Sequence, residues 1–247
     1  MEARRIFSMM TLVIFVFPLA ALADDGIVNC IGLPTENEIQ ELLIQAATTP
    51  DTNVGGLFSG TRMWGAVVNR DGQICAFATS TANPSDVWPG SQAIAKAKAY
   101  TANAFSLDTL ALSTARLYTF TQPGHSLWSL GQSNLFDSRF LAPTGGQGGG
   151  KNQIAGGLIF FGGGVPLYNG AGKIIGGLGV SGDTSCTDHE IAKRVRDLAG
   201  LNPPGGKLVD DITYSSVDGP SVFTHPLCLN TVRNGAFIGT EATAVGY

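Results

Sequence analysis

The chain carries little charge and few side chains suited to redox or metal chemistry. Only 14% of its 247 residues are charged, with 3 histidines and 4 cysteines. Beyond Arg4-Arg5 there is no basic run, and the formal net charge is −4. That balance excludes the electrostatic footprint of a nucleic-acid binder. No cysteine pair has C-x-x-C spacing, and His125, His189 and His225 are scattered, which argues against a zinc ribbon or finger. The absence of C-x-x-C-H excludes covalently attached haem. No G-x-S-x-G is present, so there is no nucleophile elbow, and Ser181 lies in a polar stretch without an identifiable base.

Long apolar runs are equally scarce. The one that exists follows Arg4 and Arg5, spans Ile6 to Pro18, and closes on Ala21-Leu22-Ala23. A basic start, a short apolar stretch and an A-x-A end are the parts of a secretory signal peptide. The stretch is shorter than the roughly 20 apolar residues a membrane helix needs. Residues 1–23 are therefore expected to be a cleaved leader, with a periplasmic or secreted mature protein and no membrane span after cleavage. In that compartment Cys30, Cys75, Cys186 and Cys228 read as disulfide partners. Three connectivities are possible; chain order favours Cys30 with Cys75 and Cys186 with Cys228.

Glycine, at 33 residues, is what the chain has in abundance. It punctuates a helix–hairpin–helix–strands–helix order. Thr35 and Glu38 form a capping box ahead of Ile39, Leu42, Leu43 and Ala46, and the helix should fade at Thr48-Thr49-Pro50. Asp71-Gly72 turns Met63–Asn69 into Gln73–Ala78. Ser91 is expected to cap an alanine-rich helix to Phe105 with Ile94, Ala97, Thr101 and Ala104 on one face. Gly157–Phe161, Val165–Tyr168 and Lys173–Ser181 read as strands. Thr187 and Glu190 mark the start of a last helix that ends at Gly200. Residues 106–153 form a long irregular insertion, including Gly145–Gly150, and residues 202–247 a loop-like extension packed on the domain. Adjacent strands joined by tight turns predict an α+β domain with an antiparallel sheet.

Two motifs have plain structural readings. Gly177-Leu178-Gly179-Val180-Ser181-Gly182 matches the letters of a dinucleotide loop. However, its glycines lie inside a strand and no helix opens within it, so they read as sites of close backbone packing. Asp188-His189-Glu190 points three ways around a helix and reads as acidic complement to the helix start rather than as a catalytic set.

Four blocks in order resemble a known family: Gly65–Gly72, Lys98-Ala99-Tyr100-Thr101-Ala102, Phe161–Leu167 and Gly177–Gly182. Together, over Thr35–Leu201 apart from the 106–153 insertion, they resemble the GlcG/HbpS-like haem-binding (haem-degrading domain) family and the related PduO C-terminal domain. The resemblance implies a profilin-like fold with a five-stranded antiparallel sheet flanked by helices, frequent homo-oligomers, and haem in some members. It carries over the helix face of Ser91, Lys98 and Thr101 as cofactor-binding positions, but no universal iron ligand. His125, beside Tyr118, Phe120 and Trp128, and His225 are the candidate iron ligands. The reading is an exported haem-binding or haem-sensing protein. An accessory small-molecule or partner-binding module for an extracytoplasmic oxidoreductase is the alternative, and no acid–base pair supports catalysis.

Overall fold

The computed structural model describes residues 29–49, 53–140 and 150–242. The expected leader and Gly145–Gly149 lie outside them. The elements that position the site are α1 (Glu36–Thr48), β1 (Trp64–Asn69), β2 (Ile74–Thr79), α2 (Ser91–Phe105), a single turn α3 (Leu130–Ser133), β3 (Gly164–Tyr168), β4 (Ile174–Ser181) and α4 (Ser185–Leu198). Four antiparallel strands make the main sheet in the order β2-β1-β4-β3. Among the described residues, no helix is long and apolar enough to cross a membrane.

The hairpin forms because Gly72 takes φ +85°, which the tight β1–β2 turn requires. Asn69 fixes the same turn by accepting a side-chain hydrogen bond from the Gln73 amide at 2.9 Å. The Thr35 and Glu38 capping box starts α1, which ends where β-branched residues and proline were expected to stop it. α1 and α4 share one face of the sheet, where Ile39, Leu43, Ile191 and Val195 meet Val67, Val165, Leu178 and Val180. α2 covers the other face, with Ala95 and Ala99 against Trp64, Ala66, Val68 and Phe77.

Several expectations need correction. The sheet has four strands, not five, and Gly157–Phe161 is not a strand. Gly156 and Gly157 take φ +64° and +78°, which breaks an extended run. The backbone beyond them is satisfied by side chains instead of a ladder. The Ile159 amide donates to Thr101 Oγ1 at 2.9 Å, and Thr114 Oγ1 donates to the Phe161 carbonyl at 2.6 Å. Ser91 does not cap α2; Gly90 precedes the helix without a side-chain cap and Ser91 is its buried first residue. α4 begins one turn before the expected start, capped by Thr184, whose hydroxyl accepts from the Thr187 amide. Of the expected face of α2, Ala97 and Thr101 are buried, but Ile94 is only half-buried and Ala104 is exposed, and the buried side extends through Ala95, Lys98, Ala99 and Ala102.

That last shift follows from the floor beneath α2. Gly177 and Gly179 face the helix, and a Cβ on Gly179 would collide with the Ala95 carbonyl and the Ala99 amide. Alanines on glycines bring the helix backbone close to the strand, so smaller residues than the expected Ile94 define the contact.

The tail folds against α4 and the 106–121 segment. Thr213–Tyr214 (β5) pairs in parallel with Thr224–His225 (β6), and Thr231–Arg233 (β7) pairs with Ala236–Gly239 (β8). A four-residue helix, α5 (Ser215–Asp218), lies between β5 and β6. Cys30 is joined to Cys75, tying the start of the described chain to β2, and Cys186 to Cys228, tying α4 to the tail.

The glycine floor gives a direct test. Gly179→Ala should lower stability by about 1–3 kcal/mol or more, as overpacking in a closed contact does. Gly170→Ala, where an added Cβ meets nothing within 4 Å, should stay within about 0.5 kcal/mol. Urea unfolding midpoints of both variants against wild type make the comparison, and equal midpoints would refute the close-contact account.

Candidate functional site

Lys98 lies midway along α2 and would be a solvated residue on most alanine-rich helices. Here its side chain is 0% exposed. Its Nζ donates to Asp188 Oδ2 at 2.7 Å and to the Val180 carbonyl at 3.0 Å, and sits 4.8 Å from the centre of the Phe161 ring. Asp188 is equally enclosed. Its Oδ1 accepts from the Gly182 amide at 3.1 Å and the Asp183 amide at 2.9 Å. Burial pushes the Asp188 carboxyl up to about 6 and the Lys98 ammonium down; the attraction of each for the other opposes both movements. Gly163 makes room for the pair. It takes φ +120°, and a Cβ there would lie 2.6 Å from Lys98 Nζ and 2.9 Å from Asp188 Cβ. The Asp188-His189-Glu190 run is therefore not an exposed acidic complement to the helix dipole: all three residues are buried.

His189 and Glu190 belong to a second buried polar group. The Lys193 ammonium reaches Glu190 Oε2 at 2.9 Å and Asp211 Oδ2 at 3.1 Å. His189 Nε2 lies 3.3 Å from Asp211 Oδ1. The Ile212 amide has a shorter bond to Asp211 Oδ1, 2.9 Å against 3.2 Å to His189 Nε2. Burial raises the Asp211 carboxyl, but the hydrogen bond from His189 and the charge of Lys193 outweigh it and hold Asp211 well below the usual range. Arg196 grips Asp210 with two bonds of 2.7 and 2.8 Å, both side chains enclosed. A cleft of about 530 Å³ opens beside this group, with Lys193, Arg194 and Lys207 in its wall. Each of those cations is already matched to Glu190, Asp211 or Asp197, so the cleft offers no unbalanced positive charge.

The residues singled out from the sequence are not brought to one place. Ser91 is buried at the start of α2. Thr101 is buried, donates to the Ala97 carbonyl at 2.7 Å and receives the Ile159 amide. His225 is 1% exposed. Its Nδ1 meets the Pro226 carbonyl at 2.7 Å and so carries the proton; Nε2 accepts from the Gly162 amide at 3.2 Å. Tyr118 and Tyr214 flank the ring at 5.0 and 6.4 Å between centres. Burial pushes its pKa down to about 4, so the imidazole is neutral. His125 is different. It lies in the expected Gln122–His125 turn, is exposed, and its carbonyl accepts from the amide of Trp128, itself 52% exposed. Sequence reasoning missed Asp188, Arg196, Asp210 and Asp211 as buried partners. Their partners come from distant segments, so no local spacing announces them.

The profile of the family described as "Haem degrading protein HbpS-like" matches residues 43–197. The chain belongs to the HbpS-like family. Among solved structures, the PduOC:haem complex is 21% identical with a TM-score of 0.46, covering 68% of this chain and 96% of that one. The Klebsiella pneumoniae protein ORFY is 22% identical with a TM-score of 0.45, covering 68% and 90%. HbpS is 19% identical with a TM-score of 0.42, covering 67% and 89%. No curated protein matches the chain. The span matched to the HbpS-like family contains Lys98, Asp188 and the glycines around them, and stops short of His225 and Cys228.

The buried pair makes a quantitative prediction. Asp188→Ala, which strands the Lys98 ammonium, should cost about 3–5 kcal/mol. Replacing both partners, as Lys98→Met with Asp188→Leu, should cost clearly less than the two single changes added together. A double-mutant cycle from chemical denaturation reads the coupling, and strict additivity would show that the pair does not act as a unit.

Proposed function

We propose that this protein is exported and binds haem at the surface around His125. The observation that carries the reading is the accessibility of the imidazoles in a chain of the HbpS-like family. Of the 3 histidines, His189 and His225 are each 1% exposed and held by neighbours, whereas His125 is open to solvent. It shares its turn with the half-exposed indole of Trp128, an apolar surface on which a porphyrin could lie. The residues present therefore fit the group. Haem, when bound, would supply an iron that takes an imidazole nitrogen as a ligand. His125 would offer that nitrogen, and Trp128 would cover part of the ring. Ser91, Lys98 and Thr101, carried over as cofactor-binding positions, lie on the buried side of α2, where Thr101 accepts from the Ile159 amide. His225 is set aside as an iron ligand because reaching it would require opening the tail.

The rest of the proposal concerns organisation. Residues 1–23 act as a leader, and 24–201 form the domain with its insertion at about 106–153. Residues 202–247 form an extension packed on it. The basic-apolar-A-x-A start and two disulfides support a periplasmic or secreted location. Exposed Leu107, Leu110, Leu135 and Ile154 support self-association. The family to which the chain belongs is one of haem-degrading proteins, which agrees with this reading.

Haemin titrated into the purified mature protein should give a saturable Soret shift, and His125→Ala should weaken it at least tenfold. A flat titration, or an identical curve for His125→Ala, would refute binding through His125. An accessory role without haem would instead show as a stoichiometric oxidoreductase partner recovered from extracytoplasmic extract.

A further inference from the structure

Cys186, His225 and Cys228 form a cluster that the haem reading leaves unused. The two sulphurs and a ring nitrogen of His225 lie within 4.8 Å of one another, and all three residues are buried. In the sequence they belong to mirrored pairs, Cys186-Thr187-Asp188-His189 and His225-Pro226-Leu227-Cys228. On α4 the three-residue spacing puts Cys186 and His189 on one side of the helix. Gly162 touches both halves. Its amide donates to His225 Nε2, and a Cβ on it would lie 3.0 Å from His189 Cβ.

Three further observations suit this cluster to a cation. His225 carries its proton on Nδ1, fixed by the Pro226 carbonyl, so the Nε2 lone pair points away from that anchor. A ring nitrogen held by a backbone carbonyl is the usual outer support of a metal-bound imidazole. Cys228 Sγ receives the Cys186 amide at 3.1 Å and lies 3.3 Å from Ser185 Oγ. Both are donors that would stabilise a thiolate. Nδ1 of His189 has no hydrogen-bond partner among the described residues, although the ring is almost fully enclosed.

The geometry points to a zinc site at Cys186, Cys228 and His225 that replaces the Cys186–Cys228 disulfide when that bond is reduced. A dithiol supplies two electrons and two protons, is itself converted to a disulfide, and leaves Cys186 and Cys228 as thiols. Zn²⁺ then expels the two thiol protons and takes two S–Zn bonds. The third bond comes from the ring nitrogen of His225 that lies nearest the sulphurs. Two sulphurs and one imidazole are ligands zinc favours, and a fourth position stays open. The disulfide and the ion are thus alternative ties between α4 and the tail, in the part of the chain where His225 and Cys228 lie beyond the HbpS-like match.

The test uses the full mature chain, oxidised or treated with dithiothreitol under conditions where circular dichroism shows the fold retained. Co²⁺ added to reduced protein should bind one-to-one with thiolate charge-transfer absorption, and oxidised protein should give none. His225→Gln should lose at least tenfold in affinity while keeping all four thiols, which separates this pair from Cys30 and Cys75. Should that variant fail to fold, X-ray absorption at the zinc edge of reduced wild type decides the matter. Two sulphur neighbours with nitrogen support the site. A nitrogen–oxygen shell, no cobalt binding, equal binding by His225→Gln, or a disulfide that dithiothreitol cannot open in the folded protein each overturns it. None of these readouts involves haem, so the His125 proposal stands or falls separately.

Discussion

The fold depends on one buried ion pair. Lys98 comes from the helix on one face of the sheet and Asp188 from a helix on the other, and they meet at the edge of the sheet near Gly163. Removing both charges from water costs several kcal/mol per ion, which a bare contact does not recover. The surroundings supply the rest: the Val180 carbonyl on the ammonium, and the Gly182 and Asp183 amides on the carboxylate. Every one of those groups belongs to the end of β4 or the turn after it. The pair therefore fixes where α2 lies, where β4 stops and where α4 begins, and a shift of any of the three leaves a charge unmatched.

This constraint explains the glycine pattern better than flexibility does. Gly163 is small so that the ion pair has space, and Gly179 is small so that α2 can lie on the strand. With α2 that close, Lys98 has length to spare to reach past the edge strand β3. Asp183 works on the same turn from outside. It accepts the amides of Leu57 and Phe58 at 2.6 and 2.8 Å, anchoring the segment before β1 to the start of α4. The link between α1 and β1 is thus held at the same point as α4.

Local chemistry was legible in the sequence and long-range pairing was not. The Thr35 and Glu38 box, the Asp71-Gly72 turn and the Lys173–Ser181 strand each carry their signal within a few residues, and each forms as read, with ends shifted by a residue or so. Gly157–Phe161 misled because its composition suits a strand, while Gly156 and Gly157 sit at positive φ and Thr101 and Thr114 take over its backbone bonds. The Asp188-His189-Glu190 reading on α4 misled for a related reason. Glu190, Lys193 and Arg196 have the spacing of a solvated face, but residues 210 and 211 bring matching carboxylates to cover it. A helix pattern reports which side is polar; it does not report whether water or another segment satisfies it. The mirrored spacing of Cys186 with His189 and of His225 with Cys228 was visible, yet a search for C-x-x-C passes over it.

The covering of α4 has a physical consequence for the tail. Asp210 and Asp211 are enclosed only because Arg196 and Lys193 meet them, and those cations are enclosed only because the tail is present. Loss of the tail would return the charges to water rather than strand them in a core, so charge pairing alone holds it with modest net free energy. The covalent tie matters more there. Cys186 and Cys228 are separated by 42 residues, and closing a loop of that length restricts the unfolded chain by roughly 4 kcal/mol on the entropy argument. The protein thus combines a domain fixed by an ion pair that no reductant touches with an extension whose attachment is set by the redox state of one bond. Reduction of Cys186–Cys228 should therefore act at the α4–tail junction, whereas the second disulfide, Cys30–Cys75, ties the start of the described chain to β2.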